Sequence, residues 1–113
     1  MVTLYGISSC DTVKKARAWL TKHGVAYRFH DFRTDGLNAA LLQHFIDRSG
    51  WHYVLNRNSS SWRQLSPEQR SQLDEPKAFA LMLATPTLIK RPLLVSEERF
   101  IIGFDLDHYQ SLL

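Results

Sequence analysis

Short apolar runs alternate with helix-period stretches along this chain, and their order predicts its architecture. Val2 to Tyr5 reads as a strand apolar enough to be covered on both faces. From about Thr12 to His23, Val13, Ala16, Trp19 and Leu20 recur at helical spacing with basic residues between them, and Gly24 supplies a stop. Val25 to Asp31 reads as a second strand. A strand, a helix and a strand in so few residues form a βαβ unit, which predicts parallel strands and a right-handed crossover.

The middle of the chain is helical in pattern. Asp35-Gly36 turns into a helix from about Asn38 to Ser49, with Leu41, Leu42, Phe45 and Ile46 on one face and Gly50 as its stop. A helical piece around His52 to Leu55 follows. The polar stretch from Asn56 to Trp62 reads as an ordered surface loop. Ser66-Pro67 opens a short helix to about Leu73, and Ala78 to Ala84 forms another that ends near Pro86. Leu93 to Val95 and Phe100 to Gly103 flank a polar turn and read as an antiparallel hairpin. Asp105 caps a last helix carrying Leu106, Tyr109, Leu112 and Leu113. The expectation is one α/β domain over residues 1–113. It has a four-stranded mixed sheet and a helical insertion, about 37–85, between its β-α-β and β-β-α parts.

Composition narrows the chemistry. The 113 residues carry a net charge of +3 and a single cysteine. One cysteine excludes an intramolecular disulfide and a multi-cysteine metal site, and it suits a reducing, cytoplasmic setting. The N-terminus reads as a core strand rather than a leader, and no apolar run approaches membrane-spanning length. Basic residues are scattered rather than gathered into a stripe, which does not favour nucleic acid. The five histidines, His23, His30, His44, His52 and His108, lack compact ligand spacing, so no metal is expected. Trp19, Trp51 and Trp62 are expected to anchor the core. Nothing in the pattern demands a dimer, and a monomer is expected.

Cys10 is the most informative residue, since it stands where the first strand gives way to the first helix. Unpaired N–H groups and the positive end of the peptide dipoles favour a thiolate there, and Lys14 and Lys15 push the same way. The plain alternative is a buried, inert thiol. Asp11 opposes the thiolate by its charge, or serves the first-turn N–H groups. Thr12, with Ser8 or Ser9, is of a type to donate to sulfur, although Ser9 also suits a helix cap. Arg91 alone reads as an exposed arginine, and Pro92 as a strand start. Asn58 and the serines after it either border a cleft or simply make a loop polar.

Four segments together resemble the arsenate reductase/Spx-like family of the thioredoxin superfamily: Leu4 through Cys10 to Ala16, Tyr27 to Asp31, Leu55 to Trp62, and Leu88 through Arg91-Pro92 to Leu94. The small YffB-like proteins are the branch most similar to it. The resemblance implies a thioredoxin-like fold, Cys10 as nucleophile, Arg91 as an oxyanion-assisting arginine and Pro92 as a cis-proline against the cysteine. It further implies glutathione as co-substrate, with Thr12, Asn58, Arg91 and Pro92 as its contacts. A small thiol or mixed disulfide, with glutaredoxin, completes the implied partners. Two further arginines of the arsenate reductases fall here on Asn56, with Arg57 adjacent, and near Phe104. The anion clamp is therefore incomplete. Spx-type regulators carry a second cysteine three places after the first, where this chain has Val13. The leading expectation is a glutathione-dependent thiol–disulfide oxidoreductase using one cysteine. Arsenate reduction coupled to glutathione or glutaredoxin is one alternative, and an RNA polymerase-binding regulator is the other.

Overall fold

The structure, a computed structural model, describes residues 1–113. The chain divides into two compact units, one of residues 1–36 with 91–113 and the other of residues 37–90.

The first unit holds the sheet. Strand β1 (Val2–Gly6) leads through helix α1 (Asp11–Lys22) to strand β2 (Tyr27–Asp31), which pairs with β1 in parallel from Val2↔Tyr27 to Gly6↔Asp31. Strands β3 (Leu93–Val95) and β4 (Phe100–Ile102) form the expected antiparallel hairpin, and β3 also pairs antiparallel with β1. The strand order is β2-β1-β3-β4, a four-stranded mixed sheet in a thioredoxin-like arrangement. Every β3 side chain is buried, as a central strand requires. Leu4, Leu94 and Ile101 from three strands meet Ala16 and Leu20 of α1 and Tyr109 of the last helix, Leu106–Gln110, in one apolar cluster.

Two glycines set the position of α1. A Cβ on Gly6 would stand 2.7 Å from Val13 Cγ2, so the helix lies on the strand only because that side chain is missing. At its other end Gly24 adopts φ +69°, with its N–H on the Thr21 carbonyl and the Val25 N–H on that of Leu20. This paired bonding is a Schellman ending. It explains why β2 begins at Tyr27 and not at the expected Val25: Val25 is engaged in closing the helix.

The second unit is helical: α2 (Ala39–Ser49), α3 (Trp51–Val54), α4 (Ser60–Gln64), α5 (Pro67–Arg70), α6 (Glu75–Ala84) and a 3-10 turn, Pro86–Leu88. Side-chain caps define the starts of α2, α4, α5 and α6. Asn38 accepts from the Leu41 N–H, Ser59 from Trp62, and Asp74 from Lys77, while Ser66 and Gln69 form a reciprocal capping box. These caps correct two expectations. The stretch read as a surface loop starts helix α4 at Ser60, and α6 begins at Glu75 rather than Ala78. Pro76 lies in the first turn of α6, where it has no N–H to lose. An isolated bridge joins Leu55 to Ile89, and the Asn56 N–H bonds the Leu88 carbonyl at 2.8 Å. The tryptophans are half-buried rather than central. Trp19 packs edge-on against Tyr109, and Trp51 and Trp62 flank the Arg57 guanidinium at 5.9 and 5.8 Å. No helix is long and apolar enough to cross a membrane.

Candidate active site around Cys10

The chain leaves β1 at Gly6 and makes one tight turn before α1. The Cys10 N–H closes that turn on the Ile7 carbonyl at 3.0 Å, and the Cys10 carbonyl takes the Lys14 N–H at 3.0 Å. Cys10 is thus itself the N-cap of α1, with φ −76° and ψ 126°, and no side chain caps the helix. Ser9 is not the cap. Its Oγ accepts instead from Arg33 Nη1 at 3.4 Å. Asp11 lies in the first turn, exposed, as do Thr12, Lys14 and Lys15. None of Ser8, Ser9 and Thr12 bonds to the sulfur. Cys10, half-buried, stands at a helix start whose N–H groups no side chain caps.

Sheet register brings Arg91 and Pro92 to the same end of the sheet. Because Tyr5 pairs with Leu93 in antiparallel strands, the residues before Leu93 run alongside Gly6 and the turn after it. The Arg91-Pro92 peptide bond is cis. Pro92 is buried and its carbonyl accepts the Gly103 N–H at 2.8 Å. Arg91 is half-buried, and its Nε and Nη1 are shut away from water with no hydrogen-bond partner. Buried donors of a cation are almost always satisfied, so these two nitrogens mark a place for an acceptor.

Cys10, Thr12, Arg91 and Pro92 belong to the first unit, and Asn58 to the second. Asn58 is exposed. Its N–H bonds Asn56 Oδ1 at 3.0 Å and its carbonyl accepts from Arg63 Nη1 at 2.9 Å. The places of the two further arginines are otherwise occupied. Phe104 packs on the apolar cluster, edge-on to Tyr109 at 4.9 Å, while the exposed Arg57 lies 5.9 and 5.8 Å from the Trp51 and Trp62 rings. No three His, Cys, Asp or Glu side chains gather where one metal ion would be held. An open depression lined by Met1, Glu97, Glu98 and Arg99 lies at the hairpin turn, beyond Val95, at the end of β3 away from Pro92.

Sequence reasoning passed over one residue beside this turn. Asp31, the last residue of β2, is the one charged or polar side chain in the buried class. Its Oδ2 accepts the Ser8 N–H at 3.1 Å and its Oδ1 the Arg33 N–H at 2.8 Å. Burial pushes the carboxyl up, but the bonds from Arg33, Ser8 and Thr34 outweigh it and hold the group below the usual aspartate range. A polar residue ending an otherwise half-apolar strand was the available signal.

Comparison with known proteins decides the lineage. The sequence profile of the ArsC family matches residues 5–112. The chain belongs to the ArsC family. A solved structure described as a YFFB protein is 46% identical, with 98% of this chain and 97% of that one covered at a TM-score of 0.93. An arsenate reductase (ArsC) related protein from Brucella melitensis is 43% identical over 97% of this chain and 92% of its own, with a TM-score of 0.80. The global transcriptional regulator Spx of Streptococcus agalactiae is 30% identical over 115 residues, covering 100% of this chain and 83% of the regulator. Within the ArsC family this chain therefore stands beside proteins described in different terms, and its own residues must separate the readings.

Proposed function

We propose that this ArsC-family protein is a monothiol oxidoreductase that carries a glutathionyl group on Cys10. The observation that supports it most is Arg91, with two buried nitrogens lacking an acceptor at the end of the sheet where the cysteine turn lies. A guanidinium in that condition suits the carboxylate of a peptide-like thiol. In the proposed cycle the Cys10 sulfur, as thiolate, attacks the glutathione sulfur of a mixed disulfide. A Cys10–glutathione disulfide forms, the old S–S bond breaks, and the departing thiolate takes a proton. A second glutathione thiolate then attacks that disulfide, releasing oxidised glutathione and restoring Cys10. Unclaimed N–H groups at the start of α1 stabilise the sulfur anion at both ends of the cycle. Pro92 and Thr12 are the further glutathione contacts of this reading, and the cytoplasm, rich in reduced glutathione, is its setting.

With one cysteine, any resolving thiol comes from another molecule. Arsenate reduction shares the nucleophile but asks for a fuller cationic clamp, which Phe104 and the engaged Arg57 do not supply. The test is steady-state reduction of a glutathionylated peptide by glutathione. Wild type turns over, Cys10→Ser does not, and arsenate gives no turnover even with glutaredoxin present. Arsenate turnover that depends on Cys10, or retention of RNA polymerase subunits by a protein inactive on disulfides, would replace this reading.

A further inference from the structure

The segment at the end of β2 grips the cysteine turn, and the Ser8 side chain bonds Asp31 as well. The Phe32 N–H bonds the Gly6 carbonyl at 2.9 Å, the Ser8 N–H bonds Asp31 Oδ2 at 3.1 Å, and Arg33 Nη1 reaches Ser9 Oγ at 3.4 Å. Only the middle contact uses a buried side chain, and a buried ionised acceptor makes the strongest kind of backbone bond. Asp31 is itself fixed. Its N–H bonds Asp35 Oδ2 at 2.9 Å, its carbonyl accepts the Asp35 N–H at 2.7 Å, and its Oδ1 holds the Arg33 N–H. One carboxylate oxygen therefore serves its own turn while the other reaches a residue 23 places earlier, two before the nucleophile.

We infer that Asp31 is the positioning residue of this site: by holding the Ser8 N–H it fixes where the Cys10 sulfur stands at the head of α1. The inference rests on Cys10 as the reacting atom, but not on glutathione as its partner. Asparagine at position 31 can keep the Arg33 bond through its one carbonyl oxygen, but it then turns an N–H₂ toward the Ser8 N–H and loses that tether. The same tether can be cut from the other side. Ser8 is the second residue of the turn closed by Ile7 and Cys10, a place proline accepts, and Ser8→Pro removes both the N–H and the hydroxyl that bond Asp31.

The experiment measures the rate at which folded protein is alkylated at Cys10 by iodoacetamide at fixed pH, a reaction needing neither glutathione nor a disulfide. Asp31→Asn and Ser8→Pro are each expected to slow it several-fold, and the double variant no further, because both break one contact. Asp35→Asn removes a neighbouring charge while its amide oxygen still accepts the Asp31 N–H, and is expected not to slow the reaction. Loss of a nearby negative charge alone would favour the ionised thiol and speed the reaction, so a slowing has to come from position. In the folded Asp31→Asn protein the Ser8 amide proton resonance moves upfield, whereas in Asp35→Asn it stays. A wild-type or raised rate in Asp31→Asn, or additive effects in the double variant, overturns the proposal. If Asp31→Asn fails to fold, Ser8→Pro decides alone, slowing the reaction or refuting the idea. Absent glutathione turnover with this alkylation pattern intact would overturn only the function proposed above.

Discussion

Arg91 is placed at a cost to the fold. Two of its nitrogens are buried without acceptors, and nothing in the protein compensates them. Replacing it by methionine keeps the stem and removes the orphaned donors. Arg91→Met is therefore expected to be more stable than wild type by on the order of 1 kcal/mol in urea unfolding, and to lose roughly tenfold or more in glutathionyl transfer. A variant that loses both stability and activity would make Arg91 a structural residue. Tyr109 shows the same strain without the functional reason. Its ring is fully buried in the apolar cluster, and its hydroxyl has no partner. Tyr109→Phe is expected to raise stability by about 1 kcal/mol, measured as a shift in urea midpoint at unchanged m-value. Neither orphaned group could be read from sequence, which names a donor but not what surrounds it. The place of Cys10 was legible because its surroundings are its own chain neighbours: a strand, a turn and a helix start. Ser9 was the obvious cap by residue type, yet Cys10 takes that place because the turn from Ile7 closes one residue later.

At the scale of elements, the contact between β1 and α1 depends on a missing side chain. Val13 is β-branched and cannot swing clear of a Cβ at 2.7 Å, so Gly6→Ala forces the strand and helix apart. The expected cost is about 1–3 kcal/mol, partly restored by Val13→Ala in the same chain. A Gly6→Ala protein as stable as wild type would mean that α1 shifts freely, against the account given for the cysteine turn. Strand and helix order were legible in the hydrophobic period, including the hairpin. The ends of elements were less so. Val25 looks like a strand residue by composition but spends its N–H on closing α1, and Ser60 starts a helix because Ser59 caps it. The tie between Asp31 and Ser8 spans 23 residues and leaves no local trace, which is why Asp31 was given no role of its own.

For the molecule as a whole, the buried ionisable groups predict an acid and an alkaline limb of stability. The Asp31 carboxyl is held below its ordinary range, so its contribution is complete above roughly pH 5. It fades as pH falls through the ordinary aspartate value, roughly 3.9, toward its own lower one. Burial raises the Tyr109 phenol, and burial likewise outweighs the Thr3 bond and the Arg28 charge at Tyr5. Their contribution is complete below roughly pH 10 and is lost as pH rises past it. Urea midpoints across pH should show both limbs, with the acid limb shallower in Asp31→Asn and the alkaline limb shallower in Tyr109→Phe. Limbs unchanged by these substitutions would assign the pH dependence to other groups.

The central claim is that Cys10 accepts one glutathionyl group and gives it up to glutathione. Intact-mass measurement tests it directly, on protein treated with oxidised glutathione and then with reduced glutathione. The account predicts one adduct of glutathionyl mass, mapped to Cys10, absent in Cys10→Ser and removed by reduced glutathione at a rate that falls in Arg91→Met. A Cys10 that forms no adduct, or holds one that glutathione cannot release, would contradict it.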